Sequence, residues 1–136
     1  MAATYAYWVS TALLSLLYFA SAFLYITKRD FVRSAQAEMG YSAAHLLPLM
    51  VVIKVLGPVA ILSRFPVGLS DLAYAGMLFH LSLAALAHFG IRKPAGAWPA
   101  LIGLALLVVS FTTQNTARGM PSPYGVTAAT PHVTSH

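Results

Sequence analysis

The sequence predicts an all-α integral membrane protein whose four transmembrane helices form an antiparallel up-down bundle. Of its 136 residues, 59% are hydrophobic and only 8% are charged, whereas a soluble domain carries about 25% charged residues. The mean hydropathy is +0.75, and four apolar segments each supply roughly the 20 residues that cross a bilayer. Short connections favour antiparallel neighbours. This composition excludes an ordinary soluble enzyme and most nucleic-acid-binding proteins, so the expected partner is the lipid bilayer and not a nucleic acid.

The first two spans are predicted over residues 5–26 and 43–63. The apolar run of span one ends at the charged residues 28–30. Span two follows Gly40, and Ser42 is a suitable N-cap because its hydroxyl oxygen can accept a hydrogen bond from a free backbone N–H of the first turn.

Spans three and four are predicted over residues 71–91 and 97–115. Ser70 is the expected N-cap of span three, and the Asp71 carboxylate complements the positive end of the helix dipole. Pro99 suits the first turn of span four, where a missing N–H removes no intrahelical hydrogen bond.

The four spans make one membrane domain over residues 1–119, followed by a tail over residues 120–136. The tail is rich in Pro, Thr, Ser and Ala and is predicted to be flexible. The chain has no cysteine, which excludes disulfides, thiolate catalysis, iron–sulfur ligation and covalent haem attachment.

Basic residues predict the orientation of the bundle. Loops one and three carry five of them, namely Lys28, Arg29, Arg33, Arg92 and Lys93. The opposite side offers only Arg64 and Arg118. Because short cytoplasmic loops are enriched in Lys and Arg, both termini are expected on the outer side.

A lysine and a histidine are expected at the same depth near the middle of the membrane. Lys54 lies nine residues before Ser63, and His80 lies nine residues after Asp71. At about 1.5 Å per residue, each is roughly 14 Å from the outer end of its antiparallel helix. Pro58 has no N–H and therefore leaves the carbonyl of Lys54 without its helical partner. The site would combine an ammonium group, an imidazole and a free carbonyl.

The helix faces that carry these two residues are expected to pack together. The face of span two consists of Leu47, Met50, Lys54, Gly57 and Ile61. The face of span three consists of Ala73, Gly76, His80, Ala84 and Ala87. Small residues on the second face would let the two backbones approach closely.

Polar residues of the other two spans complete the predicted pocket. Span one presents a stripe of Tyr7, Thr11, Tyr18, Ser21 and Tyr25, and span four adds Ser110 and Gln114. A polar pocket in an apolar body is the usual form of a small-ligand site. We therefore predict Lys54 and His80 as the reactive residues, with Tyr18, Tyr25, Ser110 and Gln114 as ligand contacts.

Purely structural roles compete with this prediction. Lys54 could extend its side chain to water, although a charged residue at mid-span costs about 2.5–3.5 kcal/mol on insertion and water is distant from there. His80 could be a core histidine that is bonded to a carbonyl. The Tyr and Ser stripe could serve only in helix packing.

The charges predict the chemical class of the ligand. No carboxylate shares the midplane with Lys54, since Asp71 lies near the outer end of span three. Two adjacent cations repel, so either at least one of Lys54 and His80 is neutral or an anionic or carbonyl-rich ligand lies between them. A quinone, an enolisable carbonyl or a carboxylate would suit such a site. No metal is predicted, because His80 and His88 are about 12 Å apart along the helix axis and lack converging carboxylate or thiolate ligands. The cofactor is otherwise left unassigned, with quinone as the candidate.

Five short motifs occur in order along the chain: Tyr7-Trp8-Val9-Ser10, Gly40-Tyr41-Ser42, Lys54-Val55-Leu56-Gly57, Ala73-Tyr74-Ala75-Gly76 and Ala87-His88. With them the sequence resembles the DoxX-like family of small four-span membrane proteins over about residues 5–115. Two positions differ, since many relatives have Glu-Trp where this chain has Asp71-Leu72.

The resemblance implies a four-helix bundle in the bacterial cytoplasmic membrane. Some relatives look like quinone-linked oxidoreductase subunits, such as the membrane part of thiosulfate:quinone oxidoreductase, and others are associated with oxidative-stress systems. The matched motif positions add Gly57, Tyr74 and His88 to the predicted ligand-binding residues.

Three functional hypotheses follow. The first is a protein that binds a lipophilic ligand, with quinone as the candidate, as the membrane subunit of an oxidoreductase that receives electrons from a partner redox protein. The second is a non-enzymatic accessory subunit of a larger membrane complex. The third is an autonomous isomerase or cyclase that uses Lys54 and His80 as acid and base. Whether the chain is an enzyme stays open at this point.

Overall fold

The predicted all-α four-helix bundle is confirmed by a computed structural model, which describes residues 1–40, 45–118 and 121–125. Its helices are α1 (Ala2–Thr27), α2 (Arg29–Glu38), α3 (Leu46–Ser63), α4 (Val67–Gly90) and α5 (Trp98–Ala117), with a 3-10 turn over Pro94–Ala97 before α5. The described residues contain no strand. Helices α1, α3, α4 and the α5 segment that begins at the 3-10 turn are each long and apolar enough to cross a membrane.

The four long helices pack around one apolar core. Helix α1 lies along α5 and α3, and α4 packs against both α3 and α5. The largest core side chains are Leu14, Tyr18, Ile61, Tyr74, Met77, Leu81 and Leu107. Many other large apolar side chains, such as Phe23, Leu56 and Phe79, are exposed on the outside of the bundle. Such a surface is stable in acyl chains but not in water, which agrees with a membrane setting.

Span three begins earlier than the sequence predicts. Helix α4 starts at Val67, directly after Pro66 in an extended conformation. Ser70 is therefore not an N-cap but a buried residue inside the helix. The proline accounts for the difference, because it has no N–H to leave unpaired at a helix start. The predicted N-cap of span two, Ser42, lies outside the described residues.

The loop between the first two spans contains a helix that the sequence analysis missed. Helix α2 is amphipathic, with Val32 buried and the other side of the helix exposed. A salt bridge of 2.5 Å joins Glu38 of α2 to Lys93, which precedes the 3-10 turn. Both charges are well exposed, so the pair contributes about 0–1 kcal/mol. The apolar side of α2 covers the end of the bundle where α1 ends and α3 begins. We call this end inner, as the basic residues predict, and the opposite end outer.

The close approach of α3 and α4 depends on a glycine of α3 rather than on the small residues of α4. The buried side of α4 consists of Ser70, Tyr74, Met77, Leu81 and Ala85. A Cβ atom on Gly57 would lie 2.9 Å from Cε of Met77, so Met77 fills the space that Gly57 leaves. The predicted face of span three is thus wrong by about one position. Gly76 faces outward, and His80 is half-buried at the edge of the interface.

The described part of the tail, residues 121–125, packs onto the bundle. Ser122 is buried, and its hydroxyl donates a hydrogen bond of 2.8 Å to the Asp71 carboxylate. Asn115 donates to the Ser122 carbonyl (2.8 Å) and accepts from its backbone N–H (2.7 Å). Residues 121–125 therefore cover the outer ends of α4 and α5.

Candidate functional site

Lys54 points into the bundle and contacts two tyrosine rings of α1. Its side chain is only 5% exposed. The Nζ atom lies 4.8 Å from the ring centroid of Tyr25 and 5.4 Å from that of Tyr18. Helical side chains lean toward the N-terminus of their helix, which for α3 is the inner end. This lean explains why Nζ lies between two tyrosines that are separated by two turns.

The aromatic rings partly replace a carboxylate as partners of the ammonium group. Among the described residues, the only salt bridge is the one at Glu38, far from Lys54. A cation over an aromatic face is stabilised by roughly 2 kcal/mol or more when both are desolvated. Lys54 therefore keeps N–H groups that can donate to an oxygen atom of a ligand.

His80 belongs to the same group of side chains. Its Nδ1 atom shares a hydrogen bond of 2.9 Å with the Tyr18 hydroxyl. The two rings meet edge to face, with centroids 5.6 Å apart. Tyr18 thus contacts both the imidazole and the ammonium group, and it places Lys54 and His80 at one site.

These residues line a cavity of about 600 Å³ in the inner half of the bundle. Ligand pockets have volumes of about 300–1,000 Å³ and few polar groups in apolar walls. The polar side chains that line the cavity are Tyr18, Ser21, Tyr25, Gln36, Lys54, His80 and His88. Leu17, Val32, Leu81 and Ala84 are among its apolar residues. The arrangement can hold a flat molecule between tyrosine rings and hydrogen-bond its oxygen atoms.

The exposed side chains of the cavity lining are apolar. The exposed residues of its lining include Ala20 and Leu24 of α1, Phe31 of α2 and Pro99 of α5. Phe31 is 66% exposed. All four side chains are apolar, which is the type of surface that a lipophilic molecule contacts favourably.

The structure separates the other predicted ligand contacts from this cavity. Tyr74 and Ser110 hydrogen-bond each other at 2.6 Å in a second polar cluster nearer the outer ends of the helices. Gln114 is buried three residues before the end of α5, and Gly57 packs under Met77. None of these four predicted residues lines the cavity.

Two parts of the cavity were missed by sequence reasoning. Helix α2 contributes Val32 and Gln36 to the wall, and Met39, directly after the helix, also lines it. The amphipathic pattern of residues 29–38 was the signal that would have identified this wall. Gly96 was also missed, and it is needed because a Cβ atom there would overlap the His88 ring.

Two histidines, His80 and His88, line the cavity, and His45 lies outside it. His45 is exposed at the start of α3. In the described ranges, no three side chains of the metal-binding types converge.

Removal of one hydroxyl tests the link between Tyr18 and His80. We expect Tyr18→Phe to keep the ring beside Lys54 but to free His80 Nδ1. The lost hydrogen bond is worth about 0.5–1.5 kcal/mol, so the affinity for a quinone should fall about two- to tenfold. Isothermal titration in detergent measures this, with Tyr5→Phe, an exposed tyrosine at the other end of α1, as the control. An unchanged affinity would show that the Tyr18 hydroxyl does not orient the site.

Comparison with known proteins identifies the family. The sequence matches the model of the DoxX-like family over residues 9–111. No curated protein and no solved structure matches the chain. The matched region contains every residue of the cavity wall. The resemblance seen in the five motifs is thereby confirmed, and the chain belongs to the DoxX-like family.

Proposed function

We propose that this membrane protein binds a small lipophilic molecule with carbonyl oxygens, with a quinone as the best candidate, in the cavity that all five helices line. The observation that carries the proposal is the convergence of Lys54, Tyr18 and His80 on one cavity whose exposed side chains are apolar. A quinone has a flat ring for the tyrosines, oxygens for the polar groups and an apolar tail for the exposed apolar side chains.

Each polar residue has a separate role in this proposal. Lys54 donates a hydrogen bond to one ligand oxygen and stabilises negative charge that develops there. The hydrogen bond from Tyr18 fixes the orientation of His80, which exchanges a proton with the ligand. Reduction of a quinone to a quinol takes two electrons and two protons. Because the chain contains no cysteine, the electrons would come from a partner redox protein or from a bound cofactor.

The distribution of basic side chains supports an orientation with both termini outside, in a cytoplasmic membrane. All five basic residues of the predicted inner side are exposed. Those of the outer side pack against the protein. Arg64 is buried, while Arg118 donates to the Leu62 carbonyl (3.0 Å) and stacks over the Trp8 ring at 5.1 Å.

Mass spectrometry of co-purified small molecules tests the proposed function. The protein is extracted in a mild detergent, and its organic extract is compared with that of an unrelated four-span protein from the same membranes. We expect a quinone at close to one molecule per chain, well above the background of the reference protein. An equal quinone content in the two preparations would contradict the proposal.

An accessory role in a larger complex is the second candidate, and one observation favours it. Gly76 lies on the outward face of α4, and a Cβ atom there would have no neighbour within 4 Å. A small residue on a lipid-facing surface suits close packing by a helix of another subunit. Native mass spectrometry from membranes would show a stoichiometric partner if this role is correct, and a ligand-bound single chain if it is not.

A further inference from the structure

A column of buried hydroxyl groups extends from the cavity toward the outer face of the bundle. Along α1 the column consists of Tyr18, Ser15, Thr11 and Tyr7, all buried. Their spacing of three to four residues places them on one side of the helix, about 4.5–6 Å apart along its axis. Tyr74 of α4 and Ser110 of α5 complete the column.

Hydrogen bonds join the outer part of this column. The Thr11 and Ser110 hydroxyls lie 2.6 Å apart, and Ser110 is also 2.6 Å from the Tyr74 hydroxyl. Tyr7 is the next residue of the column on α1, one turn before Thr11. The Tyr7 hydroxyl in turn accepts a hydrogen bond of 3.4 Å from Nη1 of Arg118, at the outer end of α5.

Two buried residues in or beside the column, Ser15 and Gln114, have side-chain polar atoms without a hydrogen-bond partner among the described residues. Ser15 lies between Thr11 and Tyr18, and its buried Oγ has no hydrogen-bond partner among the described residues. Gln114 is 0% exposed, and within the same part of the chain neither its amide oxygen nor its amide nitrogen is paired. Buried polar groups are nearly always bonded to protein or to water, so both residues are suited to hold a water molecule in the column.

We propose that this column conducts protons between the outer face and the cavity. A hydroxyl can accept a proton on one side and release another on the opposite side, so a proton moves along the column without net change in any group. The inner end is the Tyr18 hydroxyl, which passes the proton to or from Nδ1 of His80. The purpose of the column rests on the proposed function, because a quinone reduced in the cavity needs protons there.

The cavity connects the column to the inner side when no ligand is bound. Its inner wall carries Tyr25, Gln36 and His88, whose polar groups can hold water in a space of about 600 Å³. The ligand-free protein therefore passes protons across the whole membrane. A ligand that fills the cavity closes this route.

Proton flux into vesicles tests the column without any ligand chemistry. The full-length protein is reconstituted in quinone-free phosphatidylcholine–phosphatidylglycerol vesicles, a potassium gradient with valinomycin drives protons, and a pH-sensitive dye records the flux. We expect a wild-type flux clearly above that of protein-free vesicles. Ser15→Ala and Ser110→Ala should each reduce the protein-dependent flux at least tenfold.

A matched serine provides the control. Ser10 is buried on the same helix, but its hydroxyl donates to the carbonyls of its own helix at Ala6 and Tyr7. Ser10→Ala should therefore leave the flux unchanged, and thermal unfolding in detergent establishes that all variants fold. The proposal is overturned if wild type conducts no more than lipid, if Ser15→Ala and Ser110→Ala conduct like wild type, or if Ser10→Ala loses as much flux as they do.

A further measurement in the same assay distinguishes a failure of the proton column from a failure of quinone binding. Addition of a short-chain ubiquinone should lower the wild-type flux, because it occupies the cavity. If the hydroxyl variants lose flux but ubiquinone has no effect, the column stands and quinone binding is contradicted.

Discussion

Lys54→Met is expected to reduce the affinity for a short-chain quinone at least tenfold while leaving the fold intact. The methionine has a similar length and no charge, so it fills the space but donates no hydrogen bond. A hydrogen bond from a charged group is worth about 1.5–3 kcal/mol, and about 1.4 kcal/mol corresponds to a tenfold change in affinity. Quenching of tyrosine fluorescence by the quinone, recorded over a titration in detergent, measures the change.

The thermal stability of Lys54→Met should not fall with its quinone affinity. Because a charged side chain at mid-span costs about 2.5–3.5 kcal/mol on insertion, Lys54→Met should unfold at the same temperature as wild type or at a higher one. A residue kept for packing would behave differently, and its replacement would lower the stability. Lys28→Met serves as the control, since Lys28 is exposed at the inner end of α1 and should bind the quinone like wild type. Equal affinities of Lys54→Met and wild type would remove Lys54 from the site.

Gly103→Leu is expected to cause the largest loss of stability. Gly103 is buried in α5, and a Cβ atom there would lie 2.9 Å from Cδ2 of Leu81 and 3.1 Å from Cδ2 of Leu17. Those leucine methyl groups could shift for a single added methyl, but not for the four-carbon side chain of leucine. Overpacking of this kind costs about 1–3 kcal/mol. Both leucines also line the cavity, so ligand affinity should fall as well.

Gly76→Leu provides the matched comparison in α4. Both substitutions remove a glycine from the interior of a long helix, and each therefore gains about 1 kcal/mol in helix propensity. Only Gly103 is enclosed, whereas a Cβ atom on Gly76 has open space. Titration with sodium dodecyl sulfate in mixed micelles should show Gly103→Leu unfolding at lower detergent fractions and Gly76→Leu at fractions equal to or above wild type. Similar curves for the two variants would contradict the packing described at α5.

The apolar runs made the fold predictable, because only closed hydrogen-bonding structures such as helices are stable in lipid. The same reasoning could not predict which face of α4 is buried. Several of its faces carry apolar residues, and the choice depends on Met77 filling the space above Gly57. Helix α2 was missed because a search for long apolar runs does not detect a short amphipathic helix.

The residues nearest the midplane were the predictable part of the site. Residue counts from the predicted helix ends placed Lys54 and His80 at one depth. Helix α4 begins four residues before Asp71, yet both residues contact Tyr18. The same counts argue against Gln114 as a ligand contact beside Lys54. Gln114 is three residues from the end of α5, whereas Lys54 is nine residues from the end of α3. The sequence predicts one pocket that contains the polar residues of all four spans. In the structure, their depth along the helices divides them into a cavity and a hydroxyl column.

Photolabelling with a quinone that carries a diazirine on its ring tests the central claim most directly. The probe is activated in native membranes, and the labelled peptides are mapped by mass spectrometry with unlabelled quinone as competitor. We expect competed labels on the cavity residues of α1 and of residues 29–39, above all Tyr25 and Met39, and their loss in Lys54→Met. Labels confined to outward residues such as Phe79, or labels that the competitor leaves unchanged, would contradict a quinone site inside this bundle.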